Sequence, residues 1–140
     1  PAIAIREFTW NIFAAHYIEM AKARAYGIEF SDEERDGAIF TLHKTLSTIL
    51  KLLAPITPFI TEYLWKILYS DESIHKQKQV ESENTEDQSD ITKEITEFNS
   101  KVWNEKKSQN LSLKDSIKIE IPENLKPFIK DLKSMHNLLD

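Results

Sequence analysis

The stretch Leu52–Trp65, LLAPITPFITEYLW, decides how the chain is built. Its apolar residues keep helical spacing, yet it contains both Pro55 and Pro58. A proline inside a helix removes one hydrogen bond and drives its ring into the preceding turn. Pro55 therefore reads as the stop of one helix, because the residue before a proline avoids the helical region. Pro58 suits the first position of the next helix, with Thr57 as its cap. Phe59, Ile60, Tyr63, Leu64, Ile67 and Leu68 are then expected on the inner face of that third helix. The short link predicts that the second and third helices are antiparallel or sharply angled neighbours.

Upstream, SDEERDGAIFTLHKTLSTILKLLA opens with Ser31 and, three residues on, Glu34, the pattern of a capping box. Asp32, Glu33 and Glu34 complement the positive end of the helix dipole. Ile39, Leu42, Leu46, Ile49 and Leu53 repeat at three and four residues, a core stripe. The first helix is predicted from about Pro1 to Arg24, with Gly27 as its stop. Its apolar residues fall on two overlapping faces: Ile5, Phe8, Ile12 and Ala15, then Ile3, Trp10, Phe13, Tyr17 and Met20. Together these exceed the usual ~100° stripe, so this helix wants neighbours on most sides.

Downstream, Ser73–Val80 is read as a short strand with Ile74, Lys76, Lys78 and Val80 on one face. Residues 81–90, ESENTEDQSD, form an acidic solvated loop. Asp90 should cap a fourth helix with Ile91, Ile95, Phe98 and Val102 inward. SIKIEIP then alternates Ile117, Ile119 and Ile121 against Lys118 and Glu120, which predicts a half-buried second strand. A last helix from about Asn124 carries Leu125, Phe128, Leu132, Met135 and Leu139 inward, with Pro127 in its first turn. If the strands pair in parallel, the fourth helix is a right-handed crossover. The expected fold is mainly α: an antiparallel helical bundle over residues 1–70, then a small α/β appendage with two short strands over residues 71–140.

The 140 residues include no cysteine, which excludes a disulfide framework and a thiolate metal site. A reducing, cytoplasmic setting fits that composition. No apolar run approaches the ~18 residues of a membrane span, and the start PAIAIREFTW lacks the build of a secretory signal. The net charge of −5 argues at first against a nucleic-acid partner. The acidic excess, however, sits in residues 70–90, which carry 2 basic and 7 acidic side chains, while residues 91–140 carry 9 and 8. Global charge therefore does not choose the partner. The histidines at 16, 43, 75 and 136 form no metal spacing, and two glycines cannot build a phosphate-cradling loop. No serine stands in a nucleophile-elbow pattern. Neither a catalytic residue nor a metal site is expected.

Four stretches make a set: AIREFTWNIFAAHYIEMAKARAYG, LLAPITPFITEYLW, ESIHKQ and VWNEKKSQNLSLKDSI. In order and spacing they resemble the anticodon-binding region of valyl-tRNA synthetases, over Ala2 to about Leu138. The helical part, with its aromatic–proline corner, is similar to that of the class I synthetases for valine, isoleucine, leucine and methionine. The acidic loop matches least. The HIGH-type and KMSKS-type activation motifs and the editing domain of that family do not occur here, so the resemblance is to a C-terminal piece that cannot make valyl-adenylate. In the whole ligase the resemblance implies ATP and Mg, bound elsewhere. It also implies at least one more helix before Pro1, hence an exposed apolar groove here, open to self-association or to the parent catalytic domain.

The resemblance further implies that the bundle holds the anticodon arm of a tRNA specific for valine, while the appendage reaches toward the inside of the tRNA bend. RNA loops are read by stacking on aromatics and by cations on phosphates. Lys22, Arg24 and Tyr26 gather at the end of the first helix, though the two cations also suit the helix dipole there. Trp103, Lys106 and Lys107 gather at the end of the fourth, where a solvated helix end with Trp103 packed on the appendage is equally open. Lys114 and Lys118 extend a basic strip. Trp10, Phe13 and Trp65 keep core spacing and are expected inside. A helical protein-interaction domain, its groove accepting a partner helix, is the other reading.

Overall fold

The computed structural model describes residues 2–81 and 88–139. The acidic stretch expected at 81–90 therefore falls mostly outside the described residues. The chain is mainly helical. It opens with a continuous helical rod in three parts: α1 (Ala2–Glu7), a π-helical segment (Phe8–Tyr17) and α2 (Ile18–Ala25). Then come α3 (Asp32–Leu53), α4 (Pro58–Leu68), a 3₁₀ turn (Ile74–Lys76), α5 (Ser89–Ser108), a second 3₁₀ turn (Glu123–Phe128) and α6 (Ile129–His136).

The punctuation follows local chemistry. Gly27 ends the rod at φ +69°, where a side chain would be strained, and Ile28 N–H returns to Ala23 O at 2.9 Å. The capping box opens α3: Ser31 Oγ accepts from Glu34 N–H, and Glu34 Oε2 accepts from Ser31 N–H at 2.8 Å. Pro55 follows the end of α3 and Pro58 starts α4. Between them, Leu53 O accepts from both Ile56 N–H and Thr57 N–H at 2.8 Å. The corner sets α4 antiparallel on α3, with Lys51 Nζ over the Trp65 ring at 5.3 Å and His43 beside Tyr69 at 5.9 Å.

Two apolar clusters follow. Leu50, Ala54, Trp65 and Ile74 form one. Phe98, Val102, Ile117, Leu125, Leu132 and Leu138 form the other, with Met20 of the rod packed against it. The rod thus touches both halves of the chain. Arg24 makes the strongest tie: Nε and Nη2 donate to the two oxygens of the buried Asp131 carboxylate at 2.9 and 2.5 Å. Phe30 lies under both Arg24 and Lys130, 4.9 and 4.0 Å from its ring centre. Lys130 Nζ also donates to Glu34 Oε2 of the capping box.

Five expectations are corrected. The rod is not a plain α-helix. Phe13 and Tyr17 stack at 5.9 Å across the ordinary i, i+4 spacing, and Phe8 and Phe13 at 6.4 Å across the i, i+5 spacing of a π-helix. That spacing leaves Trp10 outside, 74% exposed, whereas Phe13 and Trp65 are buried as expected. Second, α4 shows its apolar stripe to solvent. Phe59 is 92% exposed and Ile60, Tyr63, Ile67 and Leu68 are also exposed; of the expected stripe only Leu64 packs inward, beside the buried Trp65 and Thr61. Thr61 tolerates burial because Oγ1 donates to Thr57 O at 2.9 Å.

Third, neither expected strand forms among the described residues. Glu62 Oε2 accepts from Ser73 Oγ and Ile74 N–H, both at 2.9 Å, and so folds the first stretch into the 3₁₀ turn. Without that partner, Ile117 keeps only an isolated parallel bridge to Leu138, although the alternation persists: Ile117 is buried, Lys118 and Glu120 exposed. Fourth, Thr57 and Asp90 do not cap. Thr57 Oγ1 donates back to Leu53 O, and α5 starts at Ser89 without a side-chain cap. Fifth, Leu139 and Ile39 point outward, and Ala38 and Leu50, outside the expected stripe, are buried in α3 together with the expected Ile49.

Removing one member of a buried ion pair strands the other. Arg24→Met should therefore lower stability by about 3 kcal/mol, and by more than Asp131→Asn, as read from urea denaturation of the two variants.

Candidate nucleic-acid interface

The residues expected at the site fall into two groups at opposite ends of α6. The rod and α6 run antiparallel, since Arg24 meets Asp131 near the start of α6 and His16 reaches toward its end. Along the rod, Arg24 and His16 mark the two ends eight residues apart, a rise of roughly 12 Å. Lys22, Arg24 and Tyr26 occupy one end; Trp103, Lys106 and Lys107 occupy the other, with Lys114 on the turn after α5.

At the first end, Tyr26 is 77% exposed. Lys22 is exposed and pairs with Glu19 at 2.5 Å on the same helix. Such a surface pair contributes little and is readily exchanged for another anion. Arg24 differs. The Asp131 carboxylate, by its hydrogen bond, raises the guanidinium pKa further above its ordinary value, and the fork is committed to that partner.

At the second end, Lys106 is fully buried. Its Nζ donates to Leu113 O at 2.8 Å and to His136 O at 2.7 Å. Burial pushes its pKa down while Asp115 pulls it back up. The ammonium thus ties the end of α5 to the following turn and to the end of α6. Lys107 and Lys114 are exposed, as is Lys118. Trp103 is half-buried, its ring 5.1 Å from His16 and 5.9 Å from His136.

Sequence spacing gave no sign of the polar chain beneath Trp103. His136 Nε2 lies 2.7 Å from Asn99 Oδ1, and Asn99 Nδ2 lies 3.2 Å from His16 Nδ1. The amide oxygen can only accept, so His136 carries its proton on Nε2; the amide nitrogen can only donate, so His16 accepts on Nδ1. These roles require His16 to be unprotonated on Nδ1, whereas His136 donates from Nε2 whether its ring is neutral or charged. The chain joins residues 16, 99 and 136, a separation no local pattern reports. Among the described residues no group of side chains could hold a metal ion, and no helix is long and apolar enough to cross a membrane.

Comparison with known proteins now places this architecture. A family model described as the anticodon-binding domain of tRNA ligase matches residues 2–121. The chain belongs to this family of tRNA-ligase anticodon-binding domains. Among curated proteins, it is 39% identical to the valine–tRNA ligase of Pyrobaculum aerophilum over 100% of this chain and 18% of that protein. It is 34% identical to the valine–tRNA ligase of Aeropyrum pernix over 97% of this chain and 18% of that protein. The valine–tRNA ligase of Nanoarchaeum equitans is 36% identical over 94% of this chain and 17% of its own length. The chain thus spans less than a fifth of the length of these relatives, and it matches their C-terminal region. No solved structure matches.

The histidine chain makes stability depend on pH. Burial, then the nearby Lys106 and His16, push His136 down to about 4. The folded state therefore resists a proton that the unfolded chain takes up below about 6.5. Stability from this group is complete above pH 6.5 and drains as pH falls toward 4. Between pH 7 and 4.5 the loss should be about 2 kcal/mol. Urea titrations at the two pH values should show it, with a smaller loss in His136→Gln.

Proposed function

We propose that this chain binds the anticodon arm of a tRNA specific for valine, as one domain of a longer valine–tRNA ligase. The observation that carries the reading is the family match over residues 2–121 together with relatives named valine–tRNA ligases along the whole chain. The geometry supplies a means. At the end of α2, Tyr26 offers an exposed ring and Lys22 an exposed ammonium. A splayed base stacks on the first and a phosphate pairs with the second. Arg24 supports this end from beneath, by holding α2 on α6 through Asp131. In the proposed whole ligase, ATP and Mg act at the catalytic domain, and this domain positions the tRNA without making or breaking bonds. The tRNA and the catalytic domain are then its partners, in the cytoplasm where aminoacylation supplies translation. The bundle over 1–70 and the appendage over 71–140 are proposed as its two working parts.

A second reading has one observation in its favour. The outward row Phe59, Ile60, Tyr63 and Ile67 is a contiguous apolar face, the kind that mediates association of protein surfaces. Under that reading the chain self-associates or takes a partner helix on α4.

A titration separates them. Labelled tRNA with a valine anticodon, and the same tRNA with the anticodon exchanged, are titrated at two salt concentrations. The proposal expects tighter binding of the first, weakening as salt rises. Tyr26→Ala should cost about 1–3 kcal/mol of binding, and Lys22→Ala should reduce the salt slope by about one charge. Indifference to both tRNAs, with concentration-dependent mass in sedimentation, would favour the second reading.

A further inference from the structure

The end of α5 and the turn after it border an open cleft of about 580 Å³, lined by Trp103, Asn104, Lys107, Asn110, Leu111 and Leu113. That volume lies within the range of small-ligand sites, roughly 300–1,000 Å³. Its walls are tied in place. Lys106 Nζ holds Leu113 O from behind at 2.8 Å. Asp115 Oδ2 accepts from Ser112 N–H at 2.6 Å. Asn110 adopts φ +54°, which turns the chain so that Leu111 N–H reaches Lys106 O at 2.8 Å. Asn137 Nδ2 donates to Lys114 O from the end of α6. The Trp103 ring is braced by His16 and His136. The cleft is therefore formed before any ligand arrives, which lowers the entropy lost on binding.

The lining has three kinds of chemistry side by side. Trp103 and Leu113 give apolar surface, and Leu113 is exposed although the turn that carries it is tied down. Asn104 and Asn110 each offer an amide with donors and an acceptor. Lys107 brings an exposed ammonium. A nucleotide presents the same three in complement: a flat apolar face, an edge of mixed donors and acceptors, and an anionic phosphate. We propose that this cleft takes one unstacked nucleotide of the bound tRNA. The base lies between Trp103 and Leu113, its edge meets Asn104 and Asn110, and Lys107 faces the phosphate. The inference rests on the tRNA-binding reading above and adds a second contact, about one α6 length from the Lys22–Tyr26 end.

The test uses the 140-residue chain and fluorescently labelled tRNA with a valine anticodon, read by anisotropy. Three variants are compared with the unaltered chain: Leu113→Glu, Asn104→Ala and, on the exposed face of α4, Ile67→Glu. Circular dichroism melts establish that each is folded. Leu113→Glu should weaken binding about tenfold by filling the cleft with negative charge, Asn104→Ala about threefold, and Ile67→Glu less than about twofold. Unchanged affinity in Leu113→Glu overturns the cleft alone and leaves tRNA binding standing. Equal losses in Leu113→Glu and Ile67→Glu overturn it as well, because added negative charge then suffices anywhere. An unaltered chain that binds no tRNA overturns the underlying reading, and the cleft falls with it.

Discussion

The carboxylate of Asp131 is buried, and a buried charge is tolerable only beside its opposite. Arg24 answers it from a position 107 residues away. The guanidinium fork meets both oxygens at once, so the pair fixes direction as well as distance. One end of the α2–α6 alignment is set there. The other end is set by the chain of His16, Asn99 and His136, in which Asn99 accepts from one ring and donates to the other. Between these two anchors the apolar residues of the rod and of α6 close over the second cluster. Phe30, Lys130 and the capping box of α3 are gathered onto the first anchor.

The same arithmetic of burial sorts the cations. Arg24 and Lys106 face protein oxygens, and their work is to join elements distant in sequence. Lys22, Lys107 and Lys114 face outward with Tyr26. The charged residues that hold the frame are thus distinct from those available to a polyanion. An acidic total is compatible with an RNA partner for this reason: local supply at the two ends of α6 matters more than the sum.

Features with a local cause were legible in the chain. Ser31 and Glu34, Gly27, Pro55 and Pro58 each act within a turn of their own position, and each marks a boundary as expected. The stripe Ile91, Ile95, Phe98 and Val102 also points inward. The mainly helical class and the family were readable from such pieces and their order. Features with a remote cause were not. The π segment shifts the period that decides which aromatic is inside, so Trp10 lies outside against expectation while Phe13 is buried. A strand needs a partner, and Glu62 had already drawn Ser73 and Ile74 into a turn. Lysine spacing likewise cannot tell a solvated ammonium from one that binds two carbonyls, which is why Lys106 looked like its neighbour Lys107.

The inverted helix α4 carries a further consequence. It buries a threonine and exposes a phenylalanine, so water is ordered along its outer row rather than displaced from it. Cold and low concentrations of urea should make that surface easier to keep in solution. Warming and sulfate should make it harder, because both strengthen the drive to remove apolar area from water. Handling conditions for this chain are therefore written into one face of one helix, independently of anything its lysines do.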